Sequence, residues 1–218
     1  MNRLTIATWV SLTCLILLNT SPALADLDSD VLMLQQRWAE VNYQLEGKAQ
    51  ITAFETLIDD ATKVTAQYSK DAPAWIWSGI IKSTYAGAKG GLGALKFAKA
   101  SKSDLENAMK IDPEAMHGSA YTSLGTLYFN VPGWPVGFGD DKKAEKLLLK
   151  ALSIYPDGID SNYFYGDYLK NEKRYLEAES YFLKAQAAPA RQDRPLADAG
   201  RQEEITLALL DVRKELGK

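Results

Sequence analysis

The feature that most constrains the fold of this chain is an apolar pattern that repeats at a spacing of 34 residues. Three positions recur at this spacing, as the pairs Ala144 and Ala178, Leu148 and Phe182, and Ala151 and Ala185. Pro156 is followed 33 residues later by Pro189. A small residue is needed where two antiparallel helices cross closely, a large apolar residue fills the gap beside it, and a proline ends the second helix. The spacing therefore predicts stacked helix pairs.

A second small position precedes each copy and is flanked by aromatic residues. Gly125 is followed by Tyr128 in the first copy, and Gly166 lies between Tyr165 and Tyr168 in the second. With the 34-residue spacing, this arrangement resembles the tetratricopeptide repeat family. The resemblance implies an all-α fold, a tetratricopeptide-like right-handed α-α superhelix, and a usual role in binding other molecules.

The apolar periodicity predicts a single helical-repeat domain over residues 26–218. Its parts are a first helix pair over 31–73, repeats over 74–113, 115–156 and 158–190, and a C-terminal capping helix over 196–216. Two repeats carry insertions in their inner turns, because Gly79 and Ala108 are 29 residues apart and Gly125 and Ala151 are 26 apart, whereas Gly166 and Ala185 are 19 apart. The capping box at residues 103–106 predicts the start of a helix after the first insertion.

The first 25 residues have the features of a secretory signal peptide. Arg3 is followed by an apolar run over residues 4–18, and Ala23 and Ala25 form the Ala-x-Ala pattern of a cleavage site. The run is short for the roughly 20 residues that a membrane span requires, so cleavage after Ala25 is favoured over a membrane anchor. A lipoprotein attached through Cys14 is a third reading. We therefore predict an exported, periplasmic protein.

The two insertions indicate a more specific family resemblance. Glycines precede a leucine-containing segment in the first, and the second reads Pro-Gly-Trp-Pro-Val-Gly-Phe-Gly-Asp over residues 132–140. In an exported chain whose residues 26–218 contain no cysteine, these features are similar to the T-component family associated with TRAP transporters, over residues 75–189. That resemblance implies a periplasmic helical-repeat protein that works beside a transporter's substrate-binding protein.

The sequence contains no pattern typical of a catalytic or metal site. Residues 26–218 lack cysteine, which excludes disulfides, thiol catalysis and cysteine-bound metals there. His117 is the only histidine, has no acidic residue four positions later, and is predicted to pack against a helix. The net charge of −3 argues against nucleic-acid binding. We predict a non-enzymatic protein without metal or cofactor.

The Pro132–Asp140 loop has two readings. Its two prolines restrict the backbone, its glycines permit positive φ, and its rings, Trp134 and Phe138, are costly to leave in water. One reading is an aromatic plug at a ligand mouth or a partner surface. The other is a structured turn whose rings fill the end of the helix stack, with Asp140 capping the next helix.

The first insertion is basic within an acidic protein. Residues 72–103 contain five lysines and no acidic residue. The Lys89–Lys102 segment could therefore make peripheral contact with an anionic membrane or an acidic partner. The alternative is a solvated helical face.

The repeat register also assigns candidate binding residues, because the first helix of each tetratricopeptide repeat lines the concave face. They are Ile76, Ile80, Thr122, Thr126, Asn130, Tyr163, Asp167 and Lys170, with Trp134 and Phe138 of the loop. Such a surface suits an apolar peptide or a small ligand with few polar groups. The leading interpretation is a scaffold for a protein partner, and the alternative is a carrier of a small apolar ligand in the concave groove. The long last helix closes one end of the stack and predicts a monomer.

Overall fold

The computed structural model describes residues 26–218, so the predicted signal peptide lies outside the described residues. Within that part of the chain, the helices are α1 (Leu27–Gln44), α2 (Gly47–Gln67), α3 (Ala72–Lys89), α4 (Gly91–Ile111), α5 (Ala115–Asn130), α6 (Asp141–Ile154), α7 (Ile159–Asn171), α8 (Tyr175–Gln186) and α9 (Pro195–Glu215). No strand occurs in this range. The prediction of an all-α helical-repeat fold is confirmed.

Each helix packs against the next one along the chain, and glycines set the closest crossings. A Cβ added to Gly79 would lie 2.6 Å from Leu105 Cγ, and one added to Gly125 would lie 2.8 Å from Leu148 Cγ. The same close approach recurs between Gly166 and the ring of Phe182. Only a residue without a side chain permits these distances, which explains the small position found in each repeat.

The first insertion lengthens two helices instead of forming a loop. Helix α3 continues to Lys89, and α4 begins at Gly91 after the left-handed Gly90 (φ +61°). The prediction that a helix begins at residues 103–106 is therefore wrong. Asp104 has another role inside α4, because its carboxylate accepts hydrogen bonds from Ser78 Oγ (2.7 Å) and Lys82 Nζ (2.5 Å) of α3. A buried carboxylate with two such donors ties the long helix pair together.

The odd-numbered helices form a closed inner ring. Helix α1 packs against α3, α3 against α5, α5 against α7, and α7 against α9, and α9 returns to pack against α1. The seam lies where Gly200 of α9 meets the ring of Tyr43 in α1, and a Cβ at Gly200 would overlap that ring. Helix α9 therefore joins the two ends of the repeat stack, in addition to covering α8 as the predicted cap.

Candidate functional site

The helical ring encloses a chamber of about 1120 Å³. Its wall is made by inner faces of the odd-numbered helices, the first turns of α4, the Pro132–Asp140 loop and the linker at residues 187–194. Ligand pockets usually measure about 300–1000 Å³, so this space is large enough for a metabolite or lipid-sized molecule. The fold therefore surrounds a binding space with a ring of helices, and this space stays partly open to solvent.

The wall formed by α3 and α5 is uncharged. Several of its hydroxyl groups donate to carbonyls of their own helices, as from Ser83 Oγ to the Ile80 carbonyl (2.8 Å) and from Thr126 Oγ1 to the Thr122 carbonyl (2.9 Å). Thr84 also accepts a hydrogen bond from the Trp38 indole nitrogen (3.0 Å). This wall offers methyl groups, aromatic edges and oxygen lone pairs, which suit an apolar ligand body.

The opposite wall, formed by α7, the linker and α9, is charged. Asp160 accepts hydrogen bonds from Arg191 Nη1 (2.7 Å) and Arg201 Nε (3.0 Å). Arg191 also donates from Nε to Asp198 (2.7 Å), and Arg201 also pairs with Glu204. Each of the three carboxylates is therefore bound by at least one of these two arginines.

Aromatic rings hold Arg201 in place. Its guanidinium carbon lies 4.3 Å from the centroid of the Tyr163 ring and 4.5 Å from that of Phe164. A desolvated cation over aromatic faces is stabilised by their quadrupoles. Arg201 is 6% exposed, so this network is part of the buried structure.

The pKa values of this wall follow from burial and from the arginines. Burial alone would raise the pKa of Asp160, but Arg201 and Arg191 outweigh that effect and hold it well below its usual range. Burial raises the pKa of Tyr43 to about 12. Asp160 is thus a carboxylate, and Tyr43 a neutral phenol, throughout the physiological pH range.

Arg194 differs from its two neighbours because it has no ion pair among the described residues. Its guanidinium carbon lies 5.0 Å from the centroid of the Trp77 ring, and its Nε is buried without a hydrogen-bond acceptor. The indole nitrogen of Trp77, a chamber residue that is 2% exposed, also has no acceptor. Burial and the nearby Arg191 lower the pKa of Arg194, but an arginine stays protonated near neutral pH.

Six of the ten predicted binding residues line the chamber. They are Ile80, Thr122, Thr126, Asn130, Tyr163 and Asp167. Ile76 is wrongly assigned, because it is fully buried in the core and the next residue, Trp77, reaches the chamber. One residue turns a helix by about 100°, which is enough to exchange the two faces. Lys170 pairs with Asp167 (3.2 Å) but does not line the chamber.

The loop residues divide between the two readings. Phe138 packs edge-on against Tyr128 with ring centroids 5.5 Å apart, and Asp140 caps α6 by accepting from the Lys143 backbone nitrogen (3.0 Å). Trp134 is 90% exposed, so the reading in which it fills the end of the stack is wrong for this ring. It does not line the chamber either, although Pro132 and Val136 of the same loop do.

His117 lies at the chamber wall and stacks on Tyr155 with ring centroids 4.4 Å apart. Residues Met116, His117 and Gly118 all have positive φ, which turns the backbone left-handed at the start of α5. Over residues 26–218 no group of three or more His, Cys, Asp or Glu side chains has a metal-binding arrangement.

Several lysines of the basic insertion have acidic partners. Lys82 pairs with Asp104 (2.5 Å), and Lys102 pairs with Glu106 (2.6 Å). Lys96 and Lys99 are exposed and have no ion pair among the described residues. No helix within residues 26–218 is both long and apolar enough to cross a membrane. Peripheral membrane contact through the Lys89–Lys102 segment stays a prediction.

The sequence did not reveal the charged wall. Its arginines lie in and after the segment that follows the predicted repeat over 158–190, and α1 places Tyr43 beside α9 only because the ring closes. The available signal was the presence of three arginines, Arg191, Arg194 and Arg201, within eleven residues of an acidic chain.

Comparison with known proteins supports the fold. A solved structure of a thermophilic TPR protein from Thermus thermophilus superposes with a TM-score of 0.55 at 14% sequence identity, over 85% of this chain and 100% of that one. No family model matches the chain. No curated protein matches it either. The chain thus has a tetratricopeptide-like fold, a type that commonly serves as a scaffold for protein interactions.

Proposed function

We propose that this protein is a non-enzymatic carrier that holds a small, largely apolar ligand in the chamber inside its helical ring. The observation that carries this proposal is the contact between α9 and α1 at Gly200 and Tyr43. Because the ring is closed there, inner helices surround the chamber, and this shape suits a small molecule better than a long peptide that lies along an open superhelix. The sequence supports export, so we place this carrier in the periplasm.

The make-up of the wall supports ligand holding over catalysis. One side is apolar and hydroxylated, and several of its donors are bonded within the helices. On the other side Asp160 is held by Arg191 and Arg201, and its lowered pKa leaves it poorly suited to accept a proton from a substrate. The chamber can hold a molecule, and the ion pairs of Arg191 and Arg201 with the carboxylates stabilise its wall.

A protein partner is a second candidate, and the exposure of Trp134 favours it. Exposed tryptophans anchor many protein interfaces, and this ring is held on a loop fixed by hydrogen bonds such as Gly139 N to the Pro132 carbonyl (3.0 Å). In this reading the loop docks a partner, such as a transporter's substrate-binding protein, while the chamber holds ligand. The two roles use different surfaces.

A matched pair of threonine variants tests the carrier function. Thr126 lines the chamber and Thr62 lies on the outer surface of α2, yet both donate to the carbonyl four residues earlier, at 2.9 and 2.8 Å. We expect the neutral fluorescent probe N-phenyl-1-naphthylamine to bind the wild-type protein and Thr62→Trp alike. Thr126→Trp, which fills the chamber, should abolish that binding. Failure of the wild type to bind, or equal binding to both variants, would contradict the proposal.

A further inference from the structure

We infer that the chamber selects ligands that carry an anionic head group, such as a carboxylate, and that Arg194 and Trp77 form the subsite for that group. This inference rests on the proposed carrier function and deepens it by naming the ligand class. It starts from an imbalance in the charged wall. Three arginines meet there, but Asp160, Asp198 and Glu204 form ion pairs with only two of them.

The pairing leaves Arg194 as the unmatched cation. Arg191 binds Asp160 and Asp198, and Arg201 binds Asp160 and Glu204. Asp193 lies next to Arg194 in sequence, but it is exposed and forms no ion pair with it. A partly buried guanidinium without a direct ion pair is costly, because the carboxylates of Asp160, Asp198 and Asp193 offset its desolvation only in part. A bound anion would supply the missing charge.

The second observation is independent of charge. Trp77 is 2% exposed, lines the chamber, and its indole N–H lacks an acceptor among the described residues. Buried indole nitrogens normally find a partner, and Trp38 in the same wall does so through Thr84 (3.0 Å). The Arg194 Nε–H is also buried and unbonded. Two unsatisfied donors on adjacent groups fit one ligand that accepts hydrogen bonds.

The uncharged wall defines the rest of the ligand. Beyond Trp77, α3 and α5 present Ile80, Thr122 and Thr126, and no Asp, Glu, Lys or Arg of these two helices lines the space. A molecule with one anionic end and an apolar body therefore matches both walls. A polyanion would leave charges against the uncharged wall, and a fully apolar molecule would leave the two donors unsatisfied.

The test uses three probes that share a ten-carbon chain and differ only in their head groups: decanoate, 1-decanol and decylammonium. Each is titrated calorimetrically into the wild-type protein at about pH 7.5, where the carboxylate and the ammonium are both ionised. We expect decanoate to bind about tenfold or more tightly than decanol, because a charge-assisted hydrogen bond in a desolvated site discriminates by about that factor. Decylammonium should bind weakest. Equal affinities, or tighter binding of decylammonium, would overturn the inference.

Variants of Arg194 test whether this residue causes the preference for decanoate over decanol. Arg194→Gln should reduce decanoate binding by about tenfold or more while decanol binding stays unchanged, and Arg194→Lys should retain part of the preference. Arg213→Gln is the matched control, because Arg213 lies in the last turns of α9, the helix that begins directly after Arg194, and pairs with Glu179 (2.9 Å) away from the chamber. A purely structural role for Arg194 would weaken both ligands equally and would contradict the inference.

The two proposals fail in different ways. If the neutral naphthylamine probe binds in a Thr126→Trp-sensitive manner but decanoate and decanol bind alike, the carrier function stands and the anion subsite does not. If decanoate binds with Arg194-dependent selectivity that Thr126→Trp leaves intact, the subsite stands but lies outside the proposed chamber. If none of the probes binds, both proposals are wrong.

Discussion

The two walls of the chamber are stabilised in different ways. In the wall of α3 and α5, hydroxyl groups such as that of Thr126 donate to carbonyls of their own helix, although Thr84 also accepts from Trp38 of α1. In the wall of α7 and α9, side chains bond across elements: Arg191 of the linker and Arg201 of α9 both reach Asp160 of α7. The first wall can change its side chains without loss of the fold, whereas the second holds the ring together. Ligand shape and fold stability are therefore separable in this protein.

The largest expected difference between the walls concerns Arg201. Arg201→Gln removes the guanidinium that pairs with Asp160 and Glu204 in the native structure. This loss should lower the free energy of unfolding by about 3–5 kcal/mol. Thr126→Val on the uncharged wall should change it by less than about 0.5 kcal/mol. Urea denaturation of both variants measures the contrast. Equal losses would show that the two walls do not differ as described.

The next largest effect is expected at the seam between α9 and α1. Gly200→Ala places a methyl group against the Tyr43 ring and should cost about 1–3 kcal/mol through overpacking. Gly87→Ala is the matched control, because Gly87 is also helical and has nothing within 4 Å of an added Cβ. Since alanine is the better helix former, it should stabilise the protein by about 0.5–1 kcal/mol. Thermal melts of both variants check the prediction, and a neutral Gly200→Ala would mean that the seam is open.

Acid should weaken the charged wall selectively. The pKa of Asp160 is lower in the folded protein than its unfolded value of about 3.9, so its ionised form stabilises the fold above about pH 4. This contribution is lost as the pH falls from about 4 toward the folded pKa. Asp160→Asn should be less stable near neutral pH and should lose less stability than the wild type on acidification from about pH 5 to about pH 2. Denaturation at each pH measures this loss of stability, and Asp59→Asn, at an exposed position, is the control. Parallel pH profiles of stability for the wild type and Asp160→Asn would contradict the prediction.

The smallest effect is expected at the loop, outside both walls. Because Trp134 is 90% exposed, Trp134→Ala should change the free energy of unfolding by less than about 0.5 kcal/mol. Phe138→Ala, which removes the ring packed on Tyr128, should cost more. Differential scanning calorimetry of both variants tests the division of roles within the loop. A large loss for Trp134→Ala would show that its ring is covered in solution.

The local features of the repeats could be predicted from the sequence, because each depends on a few neighbouring residues. The crossings at Gly125 and Gly166 and the helix cap at Asp140 are of this kind. Ring closure could not be predicted, because it depends on a small rotation between successive pairs summed over the whole stack. The anion subsite was missed for the same reason: Trp77 and Arg194 are far apart in sequence, and only the closed ring brings them together.

A distance measurement across the seam tests ring closure most directly. Spin labels at Glu40→Cys of α1 and Glu203→Cys of α9, both on the outside of their helices, can be placed in a Cys14→Ser background that has no other cysteine. Double electron–electron resonance should then give one short, narrow distance distribution, with or without decanoate, because α1 and α9 are in contact. A long or broad distribution would show an open superhelix and would contradict the closed chamber on which the carrier function depends.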